Sequence, residues 1–147
     1  MSYRFTTSLP YLLNRVGVRM GEIFLQHLQQ HDLTLPMYRV MTVLRQEGKQ
    51  SLGDLSAMVS VEISTLSRLI SAMKKRGLVS RVRLEDNARM VHIDLTDTGV
   101  HLIDQLMPVA AQFEQVGTSS FSEEEVVWLK QALAKMHDNF ETLNTER

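Results

Sequence analysis

The chain has 147 residues, 44% of them apolar and 22% charged, with a formal net charge of −1 and no cysteine. This is the size and balance of one soluble globular domain. The missing cysteine excludes disulfides, thiolate metal sites and cysteine-based catalysis or redox sensing. No apolar run approaches the ~18 residues of a membrane span. The N-terminal MSYRFTTSLPYLLNRVG lacks the apolar core and small-residue cleavage site of a signal peptide, so a cytoplasmic location is the expectation.

The near-zero charge hides a strong asymmetry. Residues 64–92 hold seven basic residues (Arg68, Lys74, Lys75, Arg76, Arg81, Arg83, Arg89) against Glu85 and Asp86. Residues 93–147 hold ten acidic residues against three basic ones. A basic middle beside an acidic tail suits a chain that offers a polyanion one face and turns another away from it.

In chain order, Leu9 to Leu28 places Leu9, Leu12, Leu13, Val16, Met20, Ile23, Phe24 and Leu28 on one helical stripe, with Pro10 in the first turn. Residues 31–34 end this helix. Pro36 opens a second helix carrying Met37, Val40, Met41, Val43 and Leu44, stopped by Gly48. Ser51 and Asp54 resemble a capping box at the start of a short third helix. Ser60-Val61-Glu62 reads as a turn, with Ser60 the expected cap of a fourth helix from about Ile63 to Arg76 and Glu62 suited to its positive end.

On that fourth helix Leu66, Leu69, Ile70 and Met73 share one face. Ser64, Arg68, Ser71 and Lys75 share the opposite one, flanked by Thr65 and Ser67. Residues 78–84 and 89–95 read as strands joined by a polar tip, residues 85–88. A further helix starts at residues 96–99, where Pro108 is expected to kink or split it. The last helix has a clear start: Ser122 as cap, Glu125 three residues on, and Phe121 able to staple onto Val126. The expected class is mainly α, an α+β winged helix.

A short helix, a turn, an amphipathic helix and a basic hairpin form the order of a winged helix-turn-helix. The candidate DNA-contacting residues are Ser64, Thr65, Ser67, Arg68, Ser71, Lys74, Lys75, Arg76, Arg81, Arg83 and Arg89. Short hydroxyl side chains let the helix approach the duplex closely. Arg68 can bond a guanine edge with two donors, the commonest specific contact. Lys74, Lys75 and Arg76, at the far end, suit phosphates. Hairpin arginines suit a narrow minor groove.

The string TLSRLISAMKKRGLVSRV, a polar tip with an arginine, and VHIDLTDTG resemble the multiple-antibiotic-resistance regulator (MarR) family of bacterial transcription factors. The resemblance runs from about Leu9 to Leu143. At the tip, where that family often has Asp-x-Arg, this chain has Asn87-Ala88-Arg89, with Asp86 one position earlier. The resemblance implies a homodimer built from the first and last two helices, about residues 8–33 and 100–145, and a DNA-binding lobe over about 34–99. It further implies binding to a pseudo-palindromic double-stranded operator, usually to repress, and release by a small, often aromatic molecule. The apolar terminal helices and the aromatic residues Phe113, Phe121, Trp128 and Phe140 agree with a twofold interface.

Tyr11, Arg15 and Arg19 on the first helix and Tyr38 and Arg39 on the second are candidate contacts for an aromatic or anionic effector. His27 and His31 have a metal-compatible spacing but no identifiable third ligand, so no metal or other cofactor is expected. No catalytic constellation or phosphate loop is evident, and an enzyme is not expected. The competing reading is a winged-helix module for protein–protein contact; the cationic face of the fourth helix argues against it.

Overall fold

A computed structural model describes residues 2–84 and 86–144, leaving aside the side chains of residues 87–89. Among the described residues six α-helices and three short strands follow in chain order: α1 (Leu9–Gln29), α2 (Leu35–Glu47), β1 (Gln50–Ser51), α3 (Leu52–Val59), α4 (Ile63–Lys75), β2 (Val79–Leu84), β3 (Asn87–Leu95), α5 (Asp97–Gly117) and α6 (Glu123–Asn144). The sheet is antiparallel in the order β1-β3-β2. The expected class therefore holds. The chain divides into two compact units, Met1–Ala110 and Ala111–Arg147.

Local sequence explains most helix ends. Ser8 caps α1 by accepting from the Tyr11 amide, and Thr34 caps α2 through the Met37 amide. Ser51 accepts from the Asp54 amide at the start of α3. At α6 the capping box closes both ways: the Ser122 amide donates to Glu125 Oε2 at 2.8 Å, and the Glu125 amide to Ser122 Oγ at 3.1 Å. Gly77 ends α4 at φ 71°; its amide reaches the Lys74 carbonyl, and the Leu78 amide the Met73 carbonyl. This paired closure needs a left-handed residue, for which glycine carries no side-chain penalty.

Several expectations change. Ser60 does not cap α4: it sits at φ 54° as the left-handed C-cap of α3, and Glu62 caps α4 instead. Pro108 does not split α5, which runs unbroken as one helix of 21 residues. The two-residue strand β1 went unforeseen; Ser51 both pairs with His92 and caps α3. The hairpin's β3 starts at Asn87 rather than Arg89, with a register shift between Arg83 and Leu84.

The core of the first unit collects Phe24 and Leu28 of α1, Val40, Met41 and Leu44 of α2, Leu55 and Val59 of α3, Leu66, Ile70 and Met73 of α4, Leu78, Val79 and Ile93 of the hairpin region, and Ile103 and Leu106 of α5. One polar clamp joins α2 to α5: Arg45 Nε donates to Asp104 Oδ1 at 2.7 Å and Nη2 to Oδ2 at 3.1 Å. The Arg45 hydrogen bond holds the Asp104 carboxyl below its ordinary range. A carboxylate with a lowered folded pKa stabilises the fold above its unfolded pKa, and that support is lost as pH falls through the lowered value. Asp104→Asn is therefore expected to flatten the acid limb of a stability-against-pH profile. An unchanged acid limb would mean that the clamp adds nothing.

Candidate nucleic-acid interface

The fourth helix owes its orientation to its own periodicity. Leu66, Ile70 and Met73 are fully buried, so the residues half a turn away must face outward. Ser64, Thr65, Arg68, Ser71, Lys74 and Lys75 are exposed, and Ser67 is half-buried. The outer side of α4 is thus a row of hydroxyls and cations.

The hairpin continues this surface. Arg81 and Arg83 alternate with Val82 on β2 and are both exposed. Arg81 Nη2 lies 3.5 Å from Ser71 Oγ, which ties the hairpin's basic side to the middle of α4. The side chain of Arg89, the remaining hairpin candidate, lies outside the described residues.

Two features of α4 were not read from sequence. The first is at its start. The Glu62 carboxylate accepts from the Ser64 amide (Oε1, 3.1 Å) and the Thr65 amide (Oε2, 3.3 Å), from the Ser64 hydroxyl, and from the Thr65 hydroxyl at 3.4 Å. The Ser64 hydroxyl, followed by the two amides, holds the Glu62 carboxyl below its usual range. Glutamate is not a preferred cap residue, and only the two hydroxyl residues that follow mark it out.

The second feature is at the far end. Arg76 is grouped by sequence with Lys74 and Lys75 as a phosphate contact, but its guanidinium is turned to the protein. Nη1 donates to the Asp32 carbonyl at 2.5 Å and Nη2 to the His31 carbonyl at 2.9 Å, while Nη1 lies 3.7 Å from Met37 sulfur. These carbonyls belong to the turn that follows α1, where Asp32 stands at φ 54°. Arg76 pins the end of α4 to the end of α1, 44 residues away in sequence.

The effector candidates lie on two helices, Tyr11, Arg15 and Arg19 on α1 and Tyr38 and Arg39 on α2. Tyr11 packs edge-on against Phe5 at 5.1 Å, and Tyr38 against Phe24 at 4.7 Å. Arg19 pairs with Glu22 at 3.5 Å on exposed surface, and Arg15 and Arg39 are exposed. A shallow groove opens along α6, around Trp128, Gln131, Met136 and Asn139. No single helix among the described residues is long and apolar enough to cross a membrane.

Comparison with known proteins fits this geometry. Residues 22–106 match the family model "Transcriptional regulator SarA/Rot". The chain is 28% identical over 139 residues to the HTH-type transcriptional repressor NicR of Pseudomonas putida, covering 95% of this chain and 88% of that repressor. Among solved structures it is similar to Bordetella bronchiseptica BpsR, whose DNA binding is regulated by 6-hydroxynicotinic acid, with a TM-score of 0.82, 28% identity, and coverage of 94% of this chain and 99% of that one. A MarR family protein from Bacillus stearothermophilus gives a TM-score of 0.74 at 28% identity, over 96% and 99% of the two chains. The fold, the outward cationic helix and these matches lead to one conclusion: the chain belongs to the SarA/Rot family of transcriptional regulators, DNA-binding proteins of the MarR winged-helix type.

Proposed function

We propose that the chain is a homodimeric repressor that reads a pseudo-palindromic operator and releases it when a small aromatic or anionic molecule binds. The observation that carries this reading is the outer side of α4, where hydroxyls and cations stand opposite the buried Leu66, Ile70 and Met73. In this reading α4 enters the major groove. Ser64, Thr65, Ser67, Arg68 and Ser71 approach base edges, Lys74 and Lys75 meet phosphates, and Arg81, Arg83 and Arg89 of the hairpin follow the adjacent groove. Arg76 gives two of its five donors to carbonyls of the α1–α2 connection, and in this reading the remaining ones meet a phosphate beside Lys74 and Lys75.

Dimerisation is supported by apolar surface. On α1, Leu9, Leu12, Leu13, Val16 and Met20 are exposed, Val16 to 58%. On α6 no residue is buried, and Trp128 and Phe140 are 67% and 62% exposed. Stripes of this size on a single chain favour a second copy as cover. A twofold dimer then sets its half-sites about one helical turn, 10–10.5 base pairs, apart. A repressor of this kind works in the cytoplasm, beside the DNA it controls.

Release by an aromatic acid is supported by BpsR, which responds to 6-hydroxynicotinic acid. Tyr11, Arg15, Arg19, Tyr38 and Arg39 supply stacking rings and cations for such a molecule. Arg15→Ala is expected to leave operator affinity intact and to raise the effector concentration needed for release. Unchanged release would remove Arg15 from the site.

The salt dependence of binding tests the DNA reading. Operator affinity measured against salt concentration is expected to fall as a steep straight line on logarithmic axes, from release of counterions at each neutralised phosphate. A flat line, with equal affinity for random duplexes, would favour a winged helix used for protein contact. Sedimentation of the free protein at twice the chain mass is the accompanying expectation.

A further inference from the structure

The Glu62 carboxylate sets the hydrogen-bonding polarity of the leading end of α4. An ionised carboxylate accepts and has no proton to give, and a serine or threonine hydroxyl has a single proton. The Ser64 and Thr65 hydroxyls both direct that proton at Glu62. The amides of the same two residues, of the kind that elsewhere seat a phosphate at a helix start, also point at Glu62. With these four donors engaged, the hydroxyls turn lone pairs outward, next to a full negative charge. Such a surface repels phosphate.

In the major groove the donors are the exocyclic amines of adenine and cytosine, whereas guanine N7 and O6, adenine N7 and thymine O4 accept. We propose that Glu62 is a specificity-determining residue: by holding Ser64 and Thr65 as acceptors, it makes the leading end of α4 select an adenine N6 or cytosine N4 amine in each half-site. The inference rests on the DNA-reading role proposed above for α4. Arg68 stands one turn further along the same side and is a pure donor, suited to guanine. One helical turn rises about 5.4 Å and base pairs stack about 3.4 Å apart, so the amine-bearing base and the guanine are expected about one or two positions apart.

The experiment selects duplexes from a random pool with the full-length wild type, with Glu62→Ser and with Glu62→Gln. The serine variant retains a capping oxygen, so α4 keeps its start, which unchanged helicity by circular dichroism would confirm. The wild-type pool is expected to fix adenine or cytosine, on one strand, beside the conserved guanine of each half-site. Glu62→Ser, too short to reach the two hydroxyls, is expected to lose that preference while keeping the guanine, and Glu62→Gln, which keeps one accepting oxygen of the two, to weaken it. A duplex with guanine or thymine at that position is expected to bind the wild type roughly 5- to 100-fold more weakly and to bind Glu62→Ser nearly as well as the selected site. Identical pools from wild type and variants, or a wild-type pool without such a position, would overturn the role of Glu62 while leaving the DNA reading intact. A wild-type pool enriched in no sequence would overturn both.

Discussion

Arg68→Ala is expected to weaken binding to the selected operator by about 1–3 kcal/mol and to relax specificity at one base pair of each half-site, with little loss on random DNA. The argument starts from the α4 register. Leu66, Ile70 and Met73 lock the helix against the core, so Arg68 points outward from its centre. A guanidinium there can give two parallel donors to one guanine edge. Lys75→Ala is the matched comparison. Since Lys75 meets a phosphate in this reading, its removal weakens binding to all duplexes alike and lowers the logarithmic salt slope by about one. Titrations of both variants on operator and random duplexes at several salt concentrations separate the two roles. Equal losses on both duplexes for Arg68→Ala would place Arg68 on the phosphate backbone.

Gly99→Ala is expected to destabilise the fold by about 1–3 kcal/mol, the usual effect of forcing a methyl into a packed site. A Cβ at this position would stand 2.2 Å from the Leu78 carbonyl oxygen. That oxygen is main chain, and it already accepts from the Thr96 amide at 3.1 Å, so it has little freedom to retreat. Thr96 fixes the same junction: its hydroxyl donates to the Gly77 carbonyl at 2.5 Å and accepts from the Gly99 amide at 3.1 Å. The start of α5 is thereby docked on the segment that carries α4 into the hairpin. Gly53→Ala is the contrasting case. Nothing lies within 4 Å of a Cβ there, and the residue is helical, so a gain of about 0.4–1 kcal/mol is expected. Thermal melting of both variants checks the pair. An unchanged melting temperature for Gly99→Ala would show that the junction can give way.

What the sequence disclosed follows the range of the forces involved. Helix stripes and caps are local, so Ser51, the Ser122–Glu125 box and the glycine stops at Gly48 and Gly77 were legible from neighbouring residues alone. The outward side of α4 was legible for the same reason: its apolar period leaves one orientation. Ser60 misled because a serine between two helices suits the end of one as well as the start of the next. Its left-handed backbone settles the matter. Glu62 was missed as a cap because glutamate seldom serves as one.

Contacts across long stretches of chain left no periodic trace. The Arg45–Asp104 clamp spans 59 residues. Arg76 looked like its lysine neighbours until the fold brought the carbonyls of residues 31 and 32 to it. Strand β1 is two residues long, too short to alternate, and its partners are distant in sequence, Ile93 for Gln50 and His92 for Ser51.

The central claim is that the outer side of α4 lies against DNA. The absence of cysteine allows a direct measurement, because one introduced thiol carries a photo-cross-linker to a single place. With the probe at Ser71→Cys, irradiation of the operator complex is expected to join the protein to bases within each half-site. With the probe at Ala134→Cys, on α6, no DNA adduct is expected. Cross-linking from position 134 but not from position 71 would contradict the account.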